Sequence, residues 1–128
     1  MKLGCNSVLF NQLDLYGALQ HIAWAGYDGA ELAYLGNMAQ HIELRTDQPY
    51  IDEIKSMARR HRLGLFAIEA AVRADCEEEK MRTMVELFEV ASKLGIPVVA
   101  IGSGGKSGDR EATNQTFKYI QRLGEQAE

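Results

Sequence analysis

Four times along this chain a short apolar run gives way to a stretch whose apolar residues recur every three or four positions. Such a couplet reads as a strand followed by a helix with one buried face. The first strand is expected at residues 3–10. Asp14 then stands at an N-cap position, Leu15, Leu19 and Ile22 share one helical face, and Gly26 lies just past the helix end. A second strand is expected over 30–35, followed by an irregular stretch, 36–47, with room for a short helix. Asp47 to Pro49 opens the next helix, with proline in the first turn where its missing N–H costs nothing. Ile51, Ile54 and Ala58 form its inward stripe, and Arg59-Arg60-His61-Arg62 places cations at its negative dipole end. Gly64 leads into a third strand, 65–72. The third helix starts around 75–79, where Glu77-Glu78-Glu79 suits the positive end of the dipole. Met81, Met84, Val85, Phe88, Ala91 and Leu94 mark its inward face, and Gly95 ends it. A fourth strand, 96–101, carries Pro97 near its start, where proline is tolerated. A glycine-rich loop, 102–108, precedes a last helix capped by Asp109, with Ala112, Thr116, Ile120 and Leu123 facing inward.

The apolar runs do not strictly alternate, which marks strands buried on both faces, as in parallel sheets. Strands alternating with helices form right-handed βαβ units. A single α/β domain is therefore expected over residues 1–128. Four parallel strands make either a small doubly wound sheet or half of a (β/α)8 barrel, which takes about 250 residues. A doubly wound nucleotide fold places its glycine-rich turn after the first strand. Here that place holds Phe10-Asn11-Gln12-Leu13, and the glycine-rich loop follows the fourth strand instead. The expected architecture is the parallel (βα)4 half of a TIM barrel.

Charge narrows the partners. The net charge is −4, so no basic surface recommends nucleic acid or an anionic membrane. Cys5 and Cys76 do not form a disulfide scaffold, and no Cys/His cluster offers a zinc site. No apolar run approaches a bilayer span, and the first residues lack the pattern of a signal peptide. A cytoplasmic protein is expected.

The segment 13–32, with Ala18-Leu19, Ile22 and Ala25-Gly26-Tyr27-Asp28-Gly29-Ala30-Glu31-Leu32, resembles the opening of xylose-isomerase-like TIM-barrel proteins. These include sugar phosphate isomerases and epimerases, ketose 3-epimerases, inosose dehydratases and the endonuclease IV group. The stretch 78–102, with Ala91 and Leu94-Gly95-Ile96-Pro97-Val98-Val99, resembles their third helix and fourth strand. The resemblance implies the N-terminal half of a metal-dependent sugar or sugar-phosphate isomerase or epimerase, which moves a proton next to a carbonyl. An inosose-dehydratase-like lyase or an endonuclease-IV-like hydrolase is an alternative on the same fold, and the acidic balance argues against DNA. A non-catalytic half-barrel interaction module is the remaining alternative. The resemblance further implies a divalent metal (Mn, Mg, Zn or Co) held by Glu, Asp, His and Glu on strands five to eight. Those strands lie outside this sequence, so it assigns no metal ligand or catalytic residue here, and this chain alone is expected to be inactive.

TIM-barrel sites lie at the C-terminal ends of the strands. Asn6, Glu31, His41, Glu69, Ser103 and Gly104 are the candidate substrate-binding residues there, beside Ser7 and Tyr34. A carboxylate inside an apolar strand needs a partner, so Glu31 and Glu69 are either a polar wall for substrate or structural acids paired with a neighbour. His41 lies in the long loop on the active face, whereas His21 and His61 have structural explanations on their helices. The run Gly102-Ser103-Gly104-Gly105-Lys106-Ser107 is not a Walker A loop, because Ala100 stands at the first glycine position. Its backbone N–H groups suit a phosphate or hydroxyl all the same, and a plain connecting loop is the simpler reading. Half a barrel also leaves its first and fourth strands with unpaired edges, which predicts a truncated piece, a homo-oligomer joined through those edges, or aggregation.

Overall fold

The computed structural model describes residues 1–102 and 107–127. Its elements run β1 (Gly4–Asn6), a 3-10 turn (Ser7–Phe10), α1 (Leu15–Trp24), β2 (Gly29–Tyr34), α2 (Gln48–Arg60), β3 (Gly64–Ala70), α3 (Glu77–Leu94), β4 (Val99–Ile101) and α4 (Arg110–Ala127). The strands form one parallel sheet in the order β1-β2-β3-β4. Right-handed crossovers between successive neighbours put every helix on the same face, and α1 packs on α2, α2 on α3 and α3 on α4. A doubly wound sheet reverses its strand order and covers both faces; this one does neither. It is a barrel segment with one helix-covered face and one open face.

Alternation along the strands sorts the side chains between those faces. Cys5, Ala30, Leu32, Ile68 and Ala70 face the helices and join Leu19, Ile22, Ile51, Ile54, Met84, Leu87, Val90 and Leu123 in the core. Burial pushes the Cys5 thiol above its ordinary range. Helix ends are fixed as the sequence predicts. Asp14 Oδ1 accepts from Gly17 N (2.8 Å), Asp47 Oδ1 from Tyr50 N (3.3 Å) and Asp109 Oδ1 from Ala112 N (3.0 Å). Gly95 closes α3 in the left-handed region at φ 75°.

Several boundaries differ from the sequence reading. The first strand stops at Asn6, because Asn6 Oδ1 accepts from Val8 N (2.8 Å) and caps the 3-10 turn that holds Val8, Leu9 and Phe10. The fourth strand is three residues long rather than six, since β3 offers β4 only Ile68, Glu69 and Ala70 as partners. No helix forms between Gly36 and Asp47, where the chain instead returns to bridge Tyr34 with Gln40. On α3 the buried stripe includes Leu87 and Val90, and Met81, Val85 and Phe88 flank it half-buried. On α4 the buried pair is Tyr119 and Leu123, with Ala112, Thr116 and Ile120 half-buried beside it.

One irregularity shapes the open face. Gly4, Gly29 and Gly64 stand in register across three strands. The next step of β3 carries a bulge: Ala30 pairs with Leu65 but Glu31 pairs with Ala67, which leaves Phe66 as the extra residue. Its ring lies over the glycine row, where a Cβ on Gly4 would overlap it and a Cβ on Gly29 would come 2.6 Å from the Gly64 carbonyl oxygen. Close approach to backbone requires glycine at position 29, whereas a side chain at position 4 would displace the Phe66 ring.

Candidate functional site

The open face carries a polar cluster at the C-terminal half of the first three strands. Asn6 and Glu31 are register partners, and Glu69 sits two residues beyond Ala67, the β3 partner of Glu31. The Asn6 side chain spans this diagonal. Its Nδ2 donates to Glu31 Oε2 (2.7 Å) and to Glu69 Oε2 (2.6 Å). Its Oδ1 is committed to Val8 N, which settles the orientation of the amide. All three residues are half-buried. One neutral amide thus holds two carboxylates, each by a charge-assisted bond worth about 1.5–3 kcal/mol. No protein donor among the described residues reaches the Oε1 atom of either acid. Those oxygens remain as acceptors on the face that a complete barrel would enclose.

A second network stands beside it. Ser7 is fully buried, and its Oγ accepts from Ala33 N (2.9 Å). His41 Nε2 lies 3.0 Å from the Leu13 carbonyl oxygen, which can only accept, so this nitrogen carries the ring proton. Nδ1 then accepts from the Ser7 hydroxyl at 2.9 Å. His41 therefore ties the β2–α2 loop to the 3-10 turn, and both ring nitrogens are spent on protein partners. Val8 packs with Ala33, Leu35 and Ala39 as a small apolar cap next to the polar cluster.

The sequence-predicted residues thus divide. Asn6, Glu31 and Glu69 come together through direct hydrogen bonds. His41 joins Ser7 instead. Tyr34 packs against the helix-side core, where burial first and Glu86 second push its phenol up. Ser103 and Gly104, with the rest of 103–106, lie outside the described residues. His21 bonds the Gly17 carbonyl oxygen within α1, and His61 stacks edge-on against Tyr16. Sequence reasoning missed Phe66 as the closing element of the open face. The signal was present as a glycine at the start of three successive strands, which is the room an aromatic ring needs.

Among the described residues no group of three or more His, Cys, Asp or Glu side chains could hold a metal ion. The two acids that do converge share the Asn6 amide as donor through their Oε2 atoms. No helix among the described residues is long and apolar enough to cross a membrane.

By sequence the chain matches no family model and no curated protein. By structure it is similar to the probable 3-DHS dehydratase of Bacillus anthracis involved in petrobactin synthesis, at a TM-score of 0.70 and 16% identity, covering 98% of this chain and 47% of that one. A sugar phosphate isomerase/epimerase from Parabacteroides distasonis gives 0.68 and 16%, with the same coverage of 98% and 47%. The 3-keto-D-glucoside 4-epimerase of Escherichia coli gives 0.58 and 15%, covering 99% and 53%. The chain spans about half the length of each of these structures. Its fold is the (βα)4 half of the TIM-barrel-like fold that these sugar isomerase, epimerase and dehydratase structures share.

Proposed function

We propose that this chain is the N-terminal, substrate-holding half of a barrel that acts on a small sugar or sugar phosphate as an isomerase or epimerase. The observation that carries the reading is the Asn6 amide holding Glu31 and Glu69 side by side on the open face with an acceptor oxygen of each to spare. Paired carboxylate acceptors suit vicinal hydroxyls, because each hydroxyl donates along one oxygen lone pair while its own oxygen stays free for a second partner. A carboxylate at hydrogen-bond reach of a substrate carbon acid can also accept its proton. Removal of a proton next to a carbonyl opens both isomerisation and dehydration, so the likeness to a dehydratase agrees with the same first step.

In this reading Asn6 fixes the spacing of the two acids, Glu31 and Glu69 accept substrate hydroxyls, and His41 with Ser7 braces the wall behind them. The divalent metal expected from the family resemblance finds no ligand cluster among the described residues. It is assigned to residues beyond this chain, and no step here runs through it. A cytoplasmic setting fits the two free cysteines.

The test is a binding titration followed by NMR chemical-shift change, with a panel of ketoses and ketose phosphates. Glu31→Gln and Glu69→Gln are expected to weaken binding about ten-fold each, the loss of roughly one charge-assisted bond. Binding of the same sugars with equal affinity to both variants would refute the assignment.

A further inference from the structure

A run of hydrogen bonds leads from a titratable ring to the carboxylate pair. β1 ends at Asn6, so the N–H of Ala33 in β2 finds no strand partner on that side and donates to Ser7 Oγ at 2.9 Å. The Ala33 carbonyl oxygen in turn accepts from His41 N at 3.0 Å. The Ser7 hydroxyl donates to His41 Nδ1 at 2.9 Å, and His41 Nε2 donates to the Leu13 carbonyl oxygen at 3.0 Å. Ser7 is the first residue of the 3-10 turn that Asn6 Oδ1 caps through Val8 N. The other end of the Asn6 amide holds Glu31 and Glu69. The ring is thus joined to both acids through Ser7 and Asn6, and bonds to neither directly.

The arrangement suits one protonation state. A neutral histidine has one nitrogen that donates and one that accepts, and here each meets the partner it needs. Histidinium donates from both. Nδ1–H would then face a hydroxyl that already points its own proton at the ring. Turning that hydroxyl gives no relief. Ser7 is fully buried, Ala33 N and the ring would occupy both lone pairs of its oxygen, and no other group among the described residues lies within hydrogen-bond reach of Oγ. The surroundings do not keep a proton away. His41 is half-buried and shares a surface pocket with Asp14 and Tyr16 at the start of α1, Glu43 and Arg45 of its own loop, and Tyr50 and Glu53 of α2. Three carboxylates and one guanidinium around the ring admit a positive charge, so the bond to Ser7 is what gives way.

We propose that His41 is a positioning residue for the carboxylate pair. Its neutral ring pins Ser7 and so fixes the turn that aims Asn6. Protonation frees Ser7, loosens the turn and lets the two acids drift apart. Ligand binding at the pair then requires an uncharged His41, although both ring nitrogens are spent on protein. The ligand part rests on the sugar reading above, whereas the link from the ring to Asn6 stands without it.

The test is NMR on the chain between about pH 8 and about pH 5, above the ordinary range of carboxylates. The first readout needs no ligand. The Asn6 side-chain Nδ2 resonances should move with the same midpoint as the His41 ring, and amide exchange over residues 36–47 should speed up across it. The second readout is affinity for a ketose, expected to fall about ten-fold over the same interval as one buried hydrogen bond is released. His41→Asn keeps an acceptor for Ser7 but takes up no proton, so both changes should vanish in it. Ser7→Ala cuts the link one residue on: the ring still titrates, and Asn6 should no longer follow it. Asn6 resonances that ignore the His41 midpoint in the parent chain overturn the proposal, and so does an affinity that falls as steeply in His41→Asn as in the parent. A ketose panel that binds at no pH refutes the sugar reading alone, and the Asn6 resonances still decide the link.

Discussion

Replacing Asn6 with Asp changes almost no volume but inverts the chemistry of the cluster. The Nδ2 that donates to Glu31 and Glu69 becomes an oxygen with nothing to donate. Two charge-assisted bonds are lost, at about 1.5–3 kcal/mol each. A third carboxylate now stands beside two others, and at about 4 Å and an effective dielectric of 20 each such pair repels by roughly 4 kcal/mol. The three residues are only half-buried, so water and salt remove much of this. A net loss on the order of 3–5 kcal/mol at neutral pH is expected, a large share of a small domain's stability. The folded variant can relieve the repulsion by binding a proton that the unfolded chain does not hold at the same pH. Its deficit should therefore be largest at alkaline pH and shrink as the pH falls, because protonation then favours the folded variant. Urea unfolding followed by far-UV circular dichroism at several pH values measures this, and adding Glu31→Gln should restore part of the loss by returning a donor. If Asn6→Asp unfolds within about 0.5 kcal/mol of the parent at pH 8, the amide is not what holds the two acids together.

Gly4→Ala should destabilise by about 1–3 kcal/mol by displacing the Phe66 ring, and Phe66→Ala in the same chain should cancel most of that coupling, as a double-mutant cycle would show. His41→Ala leaves the buried Ser7 hydroxyl without its acceptor, so a loss of about 1–3 kcal/mol and faster amide exchange across residues 36–47 are expected. Of the two thiols, exposed Cys76 should react with a disulfide reagent at once, whereas Cys5, buried and pushed up in pKa, should react only as the fold opens.

The order of elements was legible in the sequence because each depends on local chemistry. Asp14, Asp47 and Asp109 cap helices where they stand, and Gly95 ends α3 where the chain turns left-handed. The ends of strands were less legible. Val8, Leu9 and Phe10 read as more strand, and only the bond from Val8 N to the Asn6 side chain, together with the Ser7 contact 26 residues away, shows why the chain turns instead. The inward stripe of α3 was rotated in the sequence reading because Leu87 and Val90 meet the sheet, a choice set by neighbours and not by period. Asn6, Glu31 and Glu69 could each be nominated from position. Their convergence could not, because it needs the stagger of β3 against β2, and that stagger comes from one extra residue.

That extra residue has a consequence for how deep the open face is. Because Phe66 sits out of step with the sheet and lies across a row without side chains, its ring covers this half's end opposite the carboxylates. On this half the depth of the open face at that end is set by one aromatic side chain, which makes position 66 the place where a change of size would be felt as a change of capacity.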